Sequence, residues 1–517
     1  MQTQTKLTNM IASLDDIDLL IIGGGINGVG IARDATGRGL KVCLVEQDDL
    51  ASHTSSAATK LIHGGLRYLE YYEFRLVREA LIERERLLGI APHIIWPMQF
   101  VLPHVPALRP RWLLRLGLFV YDHIGARKRL PSSKSVRLRN RALGQPLQSY
   151  LHHGFMYSDC WVQDSRLVTL NALDAAERGA TILTRTRLVS ATKQDDRWTA
   201  ICEDTLSGAR QTLNARAIVN AAGAWVGDVI KDRLHAHSAK HVRLIKGSHI
   251  VVPRMYAGEH AYFLQNPDGR IEFVIPYEQQ YTLIGTTDIP FSGDPSVVRI
   301  TPEEIQYLCE SVNRYFKKQL TPSDVVWNYA GVRPLYDDDA SSAAAVTRDY
   351  ELEVTGGHGE PILLSVFGGK ITTYRRLAEH ALEMLQPFLG GSQDSWTGGT
   401  PLPGGDIPVS RKPEADFERF IAHTQTRWPF LPAQTTRRLA RAYGTRVANI
   451  LGNAKSLADL GENFGGDLTR AEVDYLCQYE WAMTAEDILW RRSKLGLHLP
   501  KDTAVKLDAY LRAKGAA

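Results

Sequence analysis

The stretch IDLLIIGGGINGVGIARDATGRGLKVCLVEQ, from Ile17 to Gln47, constrains the fold more than any other part of the chain. Glycine has an entropic cost in regular structure, so a cluster between an apolar run and a helix-forming segment points to a backbone that needs a missing Cβ. Ile17–Ile22 reads as a buried parallel strand, Ile26 to Arg38 as a helix of small residues, and LKVCLVE as a second buried strand. That is a βαβ unit of mononucleotide-binding size. Gly23, Gly25 and Gly28 spell G-x-G-x-x-G between strand and helix, with Ile26 and Asn27 inside the turn. The free N–H groups and dipole of a helix start favour a pyrophosphate there. Glu46, followed by Gln47, ends the second strand, where a carboxylate binds adenosine-ribose hydroxyls. A dinucleotide site follows, for FAD or NAD.

The chain of 517 residues is too long for one core, its mild net charge of +4 says nothing by itself about nucleic acid, and no nucleic-acid partner is expected. Five scattered cysteines without CxxC spacing argue against a disulfide framework, a zinc site or a cluster, so no metal is expected. The N-terminus lacks the apolar region of a signal peptide. The longest run free of Asp, Glu, Lys and Arg, GIAPHIIWPMQFVLPHVPAL, is broken by prolines and cannot be one membrane-spanning helix. The expected protein is soluble or lies on a membrane surface.

Two later features favour FAD over NAD. ARAIVNAAGAW ends a strand at Ala221, Ala222 and Gly223, small enough for a cofactor to approach. FGGKITTY then supplies a second helix start after Gly368 and Gly369, far from the first in sequence. Flavin domains are often assembled from such distant pieces, and a helix start stabilises negative charge on a reduced flavin. RLIKGSHIVVP, RIEFVIPY and YTLIGTTDI form a second, β-rich zone suited to substrate. The Gly/Pro-rich TGGTPLPGGDIP marks a domain boundary before a helical C-terminal region.

Read together, GGGINGVGIARDATGRG, SSAATKLIHGGLRYLE, YSDCWVQDSRLV, RLIKGSHIVVP, GVRPL, TRDY and LLSVFGGKITTYRRLAEHAL resemble the respiratory, FAD-dependent glycerol-3-phosphate dehydrogenases. WAMTAEDILWRRSKLGLHL, near the C-terminus, resembles that family too, and the first sixteen residues look like an extension beyond its usual start. The resemblance implies an α/β flavoprotein of the D-amino-acid-oxidase-like fold: a Rossmann-like FAD-binding domain, a β-rich substrate domain and a C-terminal helical domain. Residues 17–400 would form the oxidoreductase region, with discontinuous FAD parts near 17–66, 181–230 and 330–390, and residues 409–517 the helical domain. The activity implied is oxidation of sn-glycerol 3-phosphate to dihydroxyacetone phosphate, with electrons passing through non-covalent FAD to ubiquinone or menaquinone. The alternatives are an oxidase on the same scaffold that uses oxygen, and a non-catalytic flavin-binding scaffold.

A phosphate ester calls for guanidinium forks. By resemblance Arg333 and Arg348 match the family's phosphate positions, with Arg67 and Tyr68 close beside. The base that takes the hydroxyl proton is either His249 or Lys370, and both match the family's substrate pocket. Expected cofactor contacts also include Ser55, Ser56, Lys60, Leu61, His63, Val189 and Thr372. Arg109 to Pro131 mixes Trp112, Leu113 and Phe119 with Arg127, Lys128 and Arg129, the make-up of an in-plane helix on anionic lipid or of a packed helix with a basic edge. The resemblance favours the membrane and places the protein peripherally on the cytoplasmic face of the inner membrane, with a homodimer left open.

Overall fold

The computed structural model describes residues 16–125, 127–337, 349–357 and 359–515. Strand β1 (Ile17–Ile22) leads through helix α1 (Ile26–Gly37) to β2 (Val42–Val45), and β1 and β2 pair in parallel with Leu19 opposite Val42. Helix α2 (Asp164–Glu177) feeds β3 (Thr181–Leu183), which lies parallel to β2. On the other side of β1, β4 (Arg210–Asn220) and then β5 (Ile362–Gly368) add in parallel, and β5 runs on towards α3 (Tyr374–Leu389). Such strands are covered on both faces, which is why they read as unbroken apolar runs. Leu19, Leu20 and Ile21 are fully buried. Helix α1 packs between α2 and α3, so it needs small residues. A Cβ on Gly30 would lie 2.7 Å from the Tyr374 ring.

Among the described residues the second sheet has ten strands, and it carries the β-rich zone expected for substrate. Near one edge of it, Val242–Pro253 runs antiparallel to both Tyr281–Gly285 and Trp327–Tyr336. The long uncharged run contributes the strand Ile95–Pro103 to this sheet, and no helix among the described residues is long and apolar enough to cross a membrane. One expected cofactor segment and one expected substrate segment change places. Trp327–Tyr336, at the start of the 330–390 segment, belongs to the second sheet, whereas α2, before residue 181, lies on the first. Alternating or short apolar strands carry no mark of which sheet they join, so the sequence could not sort them.

After the Gly/Pro-rich linker, helices Pro413–Arg427, Ala433–Tyr443, Arg470–Tyr479 and Asp502–Lys514 follow. All but the first contribute to a core that includes Leu439, Val473, Leu476 and Leu507. Buried ion pairs fasten this region to the first sheet. Arg166 of α2 pairs with Glu480, and Arg492 grips Asp49 at 2.6 and 2.7 Å. All four side chains are buried, so removing one partner strands the other's charge. Replacing Arg166 by Met should lower the unfolding free energy by about 3–5 kcal/mol in urea titrations. A change below about 1 kcal/mol would mean Glu480 finds another partner.

Candidate functional site

The glycine turn works as its spacing requires. Gly23 holds φ +109°, and a Cβ on Gly28 would sit 1.9 Å from the Gly23 carbonyl oxygen. α1 therefore starts tight against the end of β1, with Gly25 as its N-cap and no acidic residue in the first turn. The Ile26 N–H donates to Ser55 Oγ at 3.0 Å. Glu46 accepts from the Gly24 N–H at 2.6 Å and the Asp48 N–H at 2.8 Å. Burial raises its carboxyl above the usual range, against the pull of those two donors.

A cavity of about 480 Å³ opens at this turn, walled by Gly23, Gly25, Glu46, Gln47, Ser55, Ala222 and Gly223 among others. A second cavity of about 250 Å³ shares Gly25, Thr54, Ser55, Ala221 and Gly223 with the first. It collects Ile26, Asn27, Leu61, His63, Tyr68, His249, Arg333, Gly368, Gly369, Lys370 and Thr372. The two helix starts meet here, because Asn27 Nδ2 donates to the Gly368 carbonyl at 3.2 Å. His63 N–H reaches Thr372 Oγ1 at 3.4 Å, which ties the segment after Thr59 to the turn before α3.

The charged groups of the second cavity are held from several sides. Arg333 pairs with Asp288 at 2.7 Å and donates to the Thr287 carbonyl at 2.7 Å. Lys370 Nζ stands 4.0 Å from the Tyr68 ring centroid, a cation–π contact. His249 Nε2 lies 3.0 Å from Thr59 Oγ1, and its ring stacks on Tyr329 at 4.7 Å. Burial, aided by Lys60 and Arg333, holds the His249 imidazole well below its ordinary pKa. Burial with Lys370 and Arg84 nearby takes His63 down to about 4. In both cases burial favours the uncharged ring.

Four expected contacts lie elsewhere. Lys60 Nζ is buried on Asp164 at 2.8 Å and donates to the Ser56 carbonyl, so it braces the fold and does not line the cleft. Ser56 Oγ turns back to the His53 carbonyl. Val189 stands behind Leu188, which lines the first cavity, and its carbonyl accepts from Arg233 at 3.3 Å. Arg67 sits over the Tyr71 ring at 5.8 Å, outside both cavities. Arg348 lies outside the described residues. Thr59, Asp288 and Tyr329 are functional neighbours that the sequence reading missed, since their partners are distant in the chain and no spacing rule joins them.

The comparisons agree with this geometry. Residues 18–375 match the family described as FAD dependent oxidoreductase, and residues 395–510 match the C-terminal domain of alpha-glycerophosphate oxidase. The chain is 54% identical to a glycerol-3-phosphate dehydrogenase of Pseudomonas aeruginosa, covering 96% of this chain and 95% of the relative. It is 53% identical to the D-erythritol 1-phosphate dehydrogenase of Brucella abortus, covering 95% and 96%. The crystal structure of a glycerol-3-phosphate dehydrogenase from Bacillus halodurans complexed with FAD superposes with a TM-score of 0.75 at 26% identity, covering 99% of this chain and 96% of that one.

The residues present fit FAD. The helix start is free of acidic side chains, a Cβ at Gly23 or Gly28 would collide with backbone, and the carboxylate of Glu46 sits at the end of β2. A methyl at Gly28 cannot be relieved by a side-chain rotation, because it meets backbone. The Gly28→Ala protein should purify with less than about a tenth of the wild-type FAD, a loss consistent with a cradle displaced by backbone collision. Flavin absorbance against protein content measures this, and full occupancy would show that the turn can shift.

Proposed function

The chain belongs to the FAD-dependent oxidoreductase family, and on that footing we propose that it oxidises sn-glycerol 3-phosphate to dihydroxyacetone phosphate and passes the electrons to a membrane quinone. The observation that carries this reading is one cavity holding a guanidinium, an ammonium and a neutral imidazole beside a flavin-type glycine turn. FAD, when bound, supplies the two-electron acceptor for hydride from the alcohol carbon. Arg333, braced by Asp288, presents a planar fork for the phosphate. His249 Nε2, 3.0 Å from Thr59 Oγ1 on the cavity wall, receives the proton of the substrate hydroxyl. The cation–π contact with the Tyr68 ring holds the Lys370 ammonium in the cavity, where it suits stabilisation of the developing alkoxide. That division of labour gives the base to His249.

Anaerobic addition of glycerol 3-phosphate should bleach the flavin spectrum. No bleaching would leave a binding scaffold, and reoxidation faster by oxygen than by a quinone analogue would make it an oxidase. D-Erythritol 1-phosphate is the second substrate to assay, because of the 53% identical relative, and a higher kcat/KM for it would move the reading to that longer polyol phosphate. His249 must be neutral to accept a proton, and its pKa is depressed, so lowering the pH protonates it only below its ordinary value. The acid limb of kcat/KM should therefore fall below pH ~6.5 and vanish in His249→Gln. A limb above that value would assign the base elsewhere.

The membrane reading rests on helix Arg111–Ile124. It buries Leu118 and Tyr121 but leaves Trp112 68%, Leu116 51% and Phe119 52% exposed. Tyr72, 79% exposed, and Phe74 follow directly on the neighbouring turn, Leu66–Tyr71, which packs on this helix and also carries Tyr68 of the cleft. A solvent-facing apolar helix edge next to the site suits a peripheral protein that meets a lipid-soluble acceptor on the cytoplasmic face of the inner membrane. The basic cluster is less free than its sequence implied. Arg127 donates to the Leu130 carbonyl, and the Arg129 N–H and guanidinium bind Glu85. Apolar residues are the cleaner test, each contributing about 1.5–3 kcal/mol when inserted. Trp112→Ser, Leu116→Ser and Phe119→Ser together should abolish sedimentation with anionic vesicles while dye-linked turnover stays within twofold. Unchanged sedimentation would place the contact elsewhere.

A further inference from the structure

The C-terminal motif WAMTAEDILWRRSKLGLHL, residues 481–499, has no part in the chemistry described so far. In the fold it forms a π-helical turn, Asp487–Arg492, a distortion often found at functional positions. The turn sets Trp490 against Trp327 of the substrate sheet, with ring centroids 4.6 Å apart and planes 22° from parallel. Trp327 is 5.1 Å from Tyr329, and Tyr329 stacks on His249 at 4.7 Å and 15°. Four rings thus run from the C-terminal domain to the imidazole. We propose that Trp490 is a positioning residue for His249, fixing its ring through Trp327 and Tyr329. The proposal rests on the reading of His249 as the base.

The strand pairing explains why the row needs an end-stop. Residues two apart on a strand share a face, so Trp327 and Tyr329 stand side by side, with Tyr329 directly opposite His249 in the antiparallel register. The Tyr329 hydroxyl donates to the Ala58 carbonyl at 2.9 Å, which secures one end of its ring. Its flank is secured by Trp327, and Trp490 covers Trp327 in turn. Trp490 is itself held: a Cβ on Gly496 would lie 2.4 Å from its indole, and Lys494 Nζ donates to its carbonyl. The next two residues, Arg491 and Arg492, are both tied to Asp49 beside β2. The row therefore ends on a segment fastened by buried charges to the cofactor domain.

On the imidazole itself the fit leaves little slack. A Cβ on Gly285 would meet His249 Cδ2 at 2.2 Å, and Thr59 holds Nε2. The charged groups around the row include Lys60, 5.1 Å over the Tyr329 ring and paired with Asp164, then Arg333 near His249, and at the Trp490 end Lys494 with Glu278 and Arg491 beside it. If Trp490 is lost, Trp327 and Tyr329 can tilt, water gains the flank of the imidazole, and the hydroxyl-to-Nε2 line is no longer fixed.

The test uses the full-length, FAD-loaded enzyme with glycerol 3-phosphate and a dye acceptor. Trp490→Ala should lower kcat about tenfold, as a displaced base does, with KM within twofold. The acid limb of its kcat/KM profile should move up towards an ordinary histidine value, while FAD content stays at wild type. Trp490→Phe keeps a ring on Trp327 and should restore both rate and limb. Trp327→Leu breaks the row from the other side and should reproduce the effect, which keeps the test alive if Trp490→Ala does not fold. The double variant should be no slower than the slower single, since both act along one path. A wild-type kcat and limb in Trp490→Ala, equal losses in the Ala and Phe variants, or additive losses in the double variant would each overturn the proposal. His249→Gln run alongside separates the two readings. A wild-type rate there removes the base assignment and this proposal with it, whereas a slow His249→Gln beside a normal Trp490→Ala removes the proposal alone.

Discussion

The substrate side of this protein hangs on one register, that of Val242–Pro253 against Trp327–Tyr336. It places His249 opposite Tyr329, Gly247 opposite Gly331 and Ile245 opposite Arg333. Because side chains alternate across a strand, a slip of one residue would turn His249 away from the cavity and bury the face that now looks into it. The close pairings leave little room for a side chain. A Cβ on Gly247 would lie 2.3 Å from the Arg333 guanidinium, and one on Gly331 would lie 2.6 Å from Ala57. His249, Arg333 and the wall beside the glycine turn are thereby fixed by backbone hydrogen bonding before any side-chain contact is counted.

The cofactor side depends on a different constraint, the meeting of two helix starts. Asn27 in α1 reaches the Gly368 carbonyl at the end of β5, so the first and last parts of the parallel sheet close on the same point. Parallel strands cannot be joined by tight turns, and the long crossovers they need are the space in which the substrate sheet is inserted. The architecture thus makes one cleft from two sheets. The C-terminal domain then locks the arrangement with buried pairs at Asp49 and Glu480. These pairs are fully desolvated, so they contribute a fixed geometry more than net stability.

The sequence by itself determined the glycine turn and Glu46 at the end of β2, because those features obey local geometry: a tight turn, a helix start and a strand end within thirty-odd residues. It also determined that a second glycine turn exists at Gly368 and Gly369, and that the C-terminal region is helical. The resemblance supplied His249, Arg333, Tyr68 and Lys370, and the fold brings all four to one cavity. Lys60 was misplaced because a lysine beside hydroxyls looks like a phosphate contact until its carboxylate partner, Asp164, is known. Arg129 looked like a solvated basic edge for the same reason, its partner being Glu85. Thr59 at His249, Asp288 at Arg333 and Trp490 at Trp327 were decided by tertiary structure alone. Each depends on a pairing between strands or domains far apart in the chain, and periodicity records which face a residue takes but not what it will face.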